Sequence, residues 1–342
     1  MTISKRKKEH VEIAMNRNIG FRDKTSGFEK YDFVHCALPE MAFEEADPSI
    51  EFLNRRISFP LMITAMTGGY SGAVRINRAL AEVCGKEKIA LGVGSQRQTS
   101  ENHDHLDTFR IVRKTAPDIP IVGNIGASQI ARLDDLSPVV RMVDLVEADA
   151  MAVHLNPLHE LLQPEGNRDF RGVLRAIEKL VRTLAVPVIV KEVGCGISEE
   201  VARRLAAAGV EWIDVAGAGG TSWTGIEFHR GANKRLARSF WDWGIPTVQS
   251  LWMAKNAGGV RVIASGGVRD GLSMAKAVAL GAELCGAALP MLKALGSGER
   301  PSGLTRLIGE WREAFRSVMF LTGSRTCADL RREGLLEKTL DR

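Results

Sequence analysis

Aromatic residues are scarce in this chain. They make up 6% of its 342 residues, and only two are tyrosine. Surfaces that stack nucleic-acid bases interleave aromatic rings with a basic stripe, and no such stretch occurs. The formal net charge of +5 is a mild excess, and much of it comes from one cluster, Lys5-Arg6-Lys7-Lys8. An anionic small ligand accounts for that cluster as well as a polymer does. The five cysteines, Cys36, Cys84, Cys195, Cys285 and Cys327, are odd in number, widely spaced and free of any Cys-x-x-Cys. This argues against a disulfide framework or zinc knuckle and for a reducing compartment. No apolar run approaches the roughly 20 residues needed to span a bilayer. The N-terminus lacks the apolar core of a signal peptide. Low-complexity tracts and short solenoid repeats are also missing. A cytoplasmic protein without nucleic-acid or membrane partners is expected.

What is present is ordinary for a globular chain able to bury a core without staples: 45% hydrophobic and 25% charged residues. The 34 glycines are more informative, because many follow directly on apolar runs. Eight short runs stand out: Pro60 to Thr64, Ile89 to Val93, Ile119 to Ile125, Ala150 to His154, Pro187 to Lys191, Trp212 to Ala216, a weaker one at Pro246-Thr247-Val248, and Val260 to Ala264. Between them, Ala73 to Lys86, Phe170 to Thr183, Glu199 to Ala208 and Ser273 to Leu280 carry apolar residues at helical spacing. Continuous apolar strands alternating with helices mean a parallel sheet covered by helices. Eight such units predict a closed α/β (TIM, (β/α)₈) barrel. The reading is one domain over 1–342: an N-terminal extension (1–59), a barrel (60–290) and C-terminal helices (291–342).

In such barrels the chemistry lies at the C-terminal ends of the strands. The polar residues here follow that rule. Thr64-Ala65-Met66-Thr67-Gly68-Gly69, Gly94-Ser95-Gln96-Arg97, Asn124, His154-Leu155-Asn156, Lys191-Glu192, Gly219-Gly220-Thr221-Ser222-Trp223 and Ser265-Gly266-Gly267-Val268-Arg269 each close a predicted strand. Gly266-Gly267 sits between a strand and a helix, where backbone N–H groups can approach a phosphate. Gly286-Ala287 offers a second half of such a cradle. Two plain glycine turns would look the same, but Ala-Ser-Gly-Gly-x-Arg recurs in flavin barrels, which favours the phosphate. Lys191 ends a run of β-branched residues and is costly to bury unless it meets an anion or acceptor. A lysine reaching out of the rim is the plainer alternative. A flavin ring edge, where charge accumulates on reduction, is the favoured one.

These segments resemble one family. Arg6-Lys7-x-x-His10, Ala65-Met66-Thr67-Gly68-Gly69, Gly92-x-Gly-Ser-Gln-Arg97, His154-Leu-Asn156, Gln163-Pro-Glu-Gly166, Lys191-Glu-Val-Gly194, Gly219-Gly-Thr-Ser-Trp223 and Ala264-Ser-Gly-Gly267 look like the signatures of the type 2 isopentenyl-diphosphate isomerases, in the family's order. The matches run from residue 6 to Phe320-Leu321-Thr322-Gly323. The resemblance implies FMN, used reduced, with NADPH as reductant and Mg²⁺. It implies interconversion of isopentenyl and dimethylallyl diphosphate in isoprenoid biosynthesis, and a homotetramer or homo-octamer. By motif match, Ala65, Met66, Thr67, Ser95, Asn124, Lys191, Thr221, Ser222, Gly266, Gly267 and Arg269 would contact FMN, with Ala287 and Ala288 near its phosphate. Arg6, Lys7, His10, Ser95, Arg97, His154, Asn156 and His159 would meet the substrate, and Glu160 would hold Mg²⁺. His154, His159, Glu160, Trp223 and Glu227 would form the catalytic group.

One departure stands out. The family block after the fourth strand reads His-Leu-Asn-x-x-Gln-Glu, whereas this chain has His154-Leu-Asn-Pro-Leu-His159-Glu160. A histidine can donate a hydrogen bond as glutamine does, and it can also ionise near neutral pH. It is read first as a tolerated replacement, then as a true acid–base group, and last as the mark of a changed activity. Asn167, where the family favours aspartate, is a smaller change. His103 and His105 are read as a solvated loop, Trp223 as part of a loop that closes on ligand, and Glu227 as a proton relay or a surface carboxylate. Trp311, Met319 and Phe320 are read as core. Two other functions stay open: an FMN oxidoreductase of 2-hydroxy acids using Arg269 and His229, and a non-catalytic flavin-binding protein.

Overall fold

The computed structural model describes residues 2–101, 104–231, 233–296 and 298–339. Its centre is a closed barrel of parallel strands, β1 (Leu61–Ile63), β2 (Ala90–Gly92), β3 (Ile121–Gly126), β4 (Ala150–His154), β5 (Val188–Lys191), β6 (Trp212–Asp214), β7 (Arg261–Ser265) and β8 (Leu284–Ala287). Each strand pairs with the next, and β8 returns to β1 through Cys285 opposite Leu61. Alternation explains why both faces are apolar. Met62, Ala90, Val122, Ala152, Ile189, Trp212, Ile263 and Leu284 fill the barrel interior. Ile63, Leu91, Ile121, Val153, Val190, Ile213 and Val262 pack outward beneath the helices.

A small antiparallel hairpin, Ile50–Phe52 with Arg55–Ile57, closes the N-terminal mouth. Phe52 meets Trp212 edge to face at 5.1 Å, and Arg55 pairs with Asp149, just before β4. The opposite mouth is left for chemistry. Across it lies α1 (Ile3–Asn16), capped by Thr2, a helix with no buried residue.

The barrel has the expected number of strands but not the expected membership. Pro246-Thr247-Val248, read as the seventh strand, begins the helix Thr247–Ala257. Only an isolated bridge from Pro246 to Ala218 extends a strand-like contact there. The β-branched pair is buried because it is the first turn of a helix wedged under the rim: Thr247 Oγ1 donates to the Gly266 carbonyl. The run Val260 to Ala264 is therefore the seventh strand. The eighth is Leu284–Ala287, of which Gly286-Ala287 is expected from sequence only as the second half of a phosphate cradle. A Cβ on Gly286 would lie 2.4 Å from Thr64 Cγ2, so close packing of β8 on β1 requires the glycine that disguised the strand.

The C-terminal segment is not all helical either. Leu289–Leu295 and Pro301–Leu321 are helices, but Leu336–Lys338 forms an antiparallel pair with Tyr31–Phe33. Gly323 and Gly334, both at positive φ, turn the chain there. Trp311 and Met319 are buried in the long helix as expected, while Phe320 is half-buried against Phe43. Among the described residues, no helix is long and apolar enough to cross a membrane.

Candidate active site at the barrel mouth

The strand ends build the floor of the site. β4 ends at His154, whose Nδ1 lies 2.8 Å from Asn124 Oδ1 on β3. Burial, with Lys191 close by, pushes the His154 imidazole down to about 3, so the ring is neutral at neutral pH. β5 ends at Lys191, in register with Asp214 on β6. The Lys191 ammonium donates to the Glu192 carbonyl and stands 3.9 Å from Asp214 Oδ2. Asp214 Oδ1 accepts from Ser265 Oγ at the end of β7, while Oδ2 is buried without a hydrogen-bond partner. Burial pushes the Asp214 carboxyl up, against the pull of Lys191. Glu192 is buried beside them and accepts from the N–H groups of Val193, Gly194 and Cys195 at 2.5–2.7 Å. Burial outweighs those bonds and pushes its carboxyl up to about 7.

Two glycine loops form one side of the mouth. Gly266 and Gly267 have φ of 97° and 76°, in the left-handed region where glycine carries no steric penalty. A Cβ on Gly266 would sit 2.1 Å from the Gly217 carbonyl oxygen, and one on Gly220 would sit 2.4 Å from Gly267 N. The loops after β6 and β7 thus lie backbone against backbone, a cradle that any Cβ would fill. Arg269 clamps them by donating to the Gly219 carbonyl at 3.1 Å. The helix Leu289–Leu295 starts directly beyond β8, with Ala288 as its cap. First-turn N–H groups have no partner within their own helix. These features suit the phosphate of a flavin nucleotide.

The other side carries the titratable cluster. Ser222 Oγ caps the helix Trp223–Arg230 by accepting from Gly225 N, so Trp223 opens a helix and does not belong to a mobile loop. One turn on, Glu227 is completely buried. Its Oε1 lies 3.0 Å from both His10 Nε2 and His159 Nε2. Its Oε2 accepts from Arg230 at 2.6 Å. Burial alone would push the Glu227 carboxyl up, but the histidine hydrogen bonds hold it well below the usual carboxylate range. Burial brings His10 down to about 4, despite Glu227. Trp223 flanks both imidazoles, with centroids 4.6 Å from His159 and 5.2 Å from His10.

Above the cluster, α1 delivers cations. Lys7 Nζ donates to the Ser95 carbonyl at 2.6 Å. Arg6 is held below its ordinary value by burial and then by Arg97, with Glu165, Arg230 and Glu160 also near. Bringing cations together in a half-buried mouth is unfavourable unless a polyanion joins them. Glu160 is buried on the short helix Pro157–Leu162, accepting from Asn156 Nδ2 at 3.1 Å and from Asn167 N. Asn156 Oδ1 is buried without a partner. Together these oxygen donors suit a hard cation such as Mg²⁺.

Most residues expected from the sequence thus share one barrel end. Ala65 and Met66 are half-buried there and Thr67 is buried. Thr221 bridges to Gly20. Ala287 ends β8 in the wall. Ser222 faces inward to cap its helix and to donate to the Trp241 carbonyl, which occupies its hydroxyl. His229 is exposed and packs on Phe228 and Trp241, away from the Glu227 cluster. His105 sits at positive φ on a turn, and His103 lies outside the described residues. Arg230, with its further partners Glu9 and Glu165, was missed. The spacing of Glu227 to Arg230, three apart on a helix, was the available sign. Glu192 and Asp214 were missed as titratable groups because their burial is a property of the closed barrel.

A family description, FMN-dependent dehydrogenase, matches residues 156–337. The isopentenyl-diphosphate delta-isomerase of Pelodictyon phaeoclathratiforme is 45% identical, over 98% of this chain and 97% of its own length. That of Methanothermobacter thermautotrophicus is 45% identical over 98% of this chain and 93% of its own. This chain belongs to the isopentenyl-diphosphate delta-isomerase family. Its barrel is also similar to solved flavin enzymes. A flavocytochrome b2 variant with sulfite bound aligns at TM-score 0.71 and 18% identity, over 96% of this chain and 82% of that one. A lactate oxidase of Pediococcus acidilactici aligns at 0.70 and 17%, over 99% and 94%. At such identities these neighbours speak for the shared fold alone.

Proposed function

We propose that this chain interconverts isopentenyl and dimethylallyl diphosphate, using reduced FMN with NADPH as the reductant and Mg²⁺ on the diphosphate. The observation that carries the reading is the placement of α1. It sets Arg6 beside Arg97 and His10 against Glu227, at the same barrel end as the glycine cradle. A diphosphate needs the cations, and a plain C=C needs an enclosed apolar end with a proton donor and acceptor.

Reduced FMN, when bound, supplies an electron-rich ring face and acid–base capacity. Gly266, Gly267, Arg269, Ala287 and Ala288 hold its phosphate side, and Ala65, Met66, Thr67, Ser95, Asn124, Thr221 and Lys191 line the rest. Arg6, Lys7, Arg97 and His10 bind the diphosphate, with Mg²⁺ on Glu160. Moving the double bond adds a proton at one carbon and removes one at another, so the net redox change is zero. Trp223 and α1 exclude water while the substrate carries cation-like charge. Glu227 orients the Nε2 sides of His10 and His159, and Arg230 fixes its other oxygen. His154 orients with Asn124.

The test is incubation of the protein with FMN, NADPH, Mg²⁺ and isopentenyl diphosphate while dimethylallyl diphosphate is followed. Turnover that stops without reductant is expected. No product with FMN demonstrably bound and reduced would overturn the reading. Oxidation of 2-hydroxy acids gains no support from His229, which is exposed, or from Arg269, which is engaged by Gly219.

A further inference from the structure

His159 does more than replace a glutamine in a hydrogen-bonding role. It completes a set of three ligand atoms, His10 Nε2, His159 Nε2 and Glu227 Oε1, all within 4.8 Å of one another. We propose that this two-histidine, one-carboxylate cluster is a binding site for a first-row transition-metal ion of the Zn²⁺ class, distinct from the Mg²⁺ position at Glu160. The inference stands apart from the reaction assigned above.

The geometry is close to what such an ion requires. Ligands about 2.0–2.1 Å from a tetrahedral Zn²⁺ are roughly 3.3 Å from each other. Both histidine-to-carboxylate distances are 3.0 Å, a few tenths of an ångström short of that spacing, and the two imidazole nitrogens lie within 4.8 Å of each other. The carboxylate is pre-set for a single bond, because Arg230 holds Oε2 at 2.6 Å and leaves Oε1 facing the imidazoles. Binding through Nε2 requires each ring to carry its proton on Nδ1. His159 Nδ1 lies 3.5 Å from Asn156 Nδ2, so ion binding would require the Asn156 amide to turn its Oδ1, unpartnered here, toward the ring. Such an outer partner fixes the tautomer that a metal ligand needs. Trp223 covers one side of the cluster.

The donor set decides which ion. Two imidazoles and one carboxylate suit Zn²⁺, Co²⁺, Ni²⁺ or Fe²⁺, whereas Mg²⁺ demands oxygen. Glu160 does not join the three, since its carboxylate is turned to Asn156 and Asn167. A glutamine at 159 would remove one imidazole and with it this selectivity. An ion here would hold His10 and His159 away from substrate, so it would also inhibit turnover.

The experiment uses FMN-loaded protein, stripped with a chelator and titrated with Co²⁺ in excess Mg²⁺. Binding is read from the d–d absorption beyond the flavin band, and Zn²⁺ is then added as competitor. The expected result is one Co²⁺ per chain, displaced by Zn²⁺ and not by Mg²⁺. His159→Gln and His10→Gln should each weaken binding by more than the roughly 10- to 100-fold that loss of an outer partner costs. Glu160→Gln should bind Co²⁺ as the unmodified chain does. Retained flavin reports that each variant folds, and His159→Asn replaces any variant that loses it. Absence of stoichiometric Co²⁺ binding would overturn the proposal. So would equal binding by flavin-retaining His159→Gln, or loss of binding in Glu160→Gln.

Discussion

Arg230→Met removes the cation that three carboxylates share while keeping most of the side chain's apolar volume. The guanidinium is 4% exposed and lies 2.6 Å from Glu227, 3.3 Å from Glu9 and 3.6 Å from Glu165. Glu227 has no exposure at all, so it cannot turn to water when the partner goes. Breaking a buried pair by deleting one member costs about 3–5 kcal/mol. An unfolding entropy of about 2.1 cal/mol/K per residue gives roughly 0.7 kcal/mol/K for a chain of this length, so the melting temperature should fall by about 4–7 °C. Most of that loss is the stranded charge, not the missing bond. Adding Glu227→Gln to Arg230→Met should therefore recover about 1–3 kcal/mol, since the amide still accepts from a histidine. Arg230→Lys should fall between, because an ammonium cannot serve three carboxylates in one plane. Thermal unfolding of the four proteins tests this. A melting temperature unchanged by Arg230→Met, or a double variant no more stable than the single, would refute the reasoning.

His159→Gln should keep turnover within about tenfold, since the glutamine amide can replace the hydrogen bond to the Glu227 carboxylate, leaving a difference on the order of 1 kcal/mol; steady-state kinetics decide, and a loss beyond about a hundredfold would make the imidazole itself essential. Gly266→Ala places a Cβ 2.1 Å from the Gly217 oxygen at a φ of 97°, so the purified variant should lack flavin absorbance; full flavin content would show that the loops can part. Stability should also fall in acid. The unfolded chain protonates His10 near 6.5, whereas the folded ring accepts a proton only near 4, so the unfolded state binds more protons between those values and stability drops as pH falls through them. At about 1.4 kcal/mol per pH unit this is on the order of 3 kcal/mol. Glu192, pushed up to about 7, works the other way: above about 4.5 the unfolded chain releases its proton first, so stability from this group falls as pH rises toward 7. Going from pH 7 to 4.5 should therefore cost His10→Gln less stability, measured by urea midpoints, than it costs the unaltered chain, leaving the opposite Glu192 contribution uncancelled; an unchanged pH response would mean that His10 is solvated.

Seven of the eight strands could be read from apolar runs, because a strand covered on both faces needs no polar alternation. The eighth could not. Leu284-Cys-Gly-Ala287 has no β-branched residue, and its glycine is there to let β8 approach Thr64. Pro246-Thr247-Val248 misled for the opposite reason: β-branched residues were placed in a helix by tertiary packing, which overrides so short a propensity signal. The site shows the same division. Strand-end polar residues were legible because the barrel puts all strand ends in one place. The histidine neighbours of Glu227 were not legible, because His10 and His159 reach it from separate elements and its burial exists only once they meet.

The position of α1 couples recognition to enclosure of the site. A free helix of this length is marginal in water, and this one buries no residue of its own. Val11, Ala14 and Met15 pack at the edge of the core, and polar ties add to them: Lys7 on Ser95, His10 on Glu227 and Glu9 on Arg230. Its affinity for the barrel mouth therefore depends in part on the same charges that would recognise a diphosphate or a metal ion. A ligand that bridges α1 to the rim adds to that affinity, so recognition of the anion and exclusion of water become one event. The barrel supplies a rigid floor that flavin enzymes of other specificity share. What is particular to this chain lies in the polar helix laid over it and in the histidine at 159 that it meets.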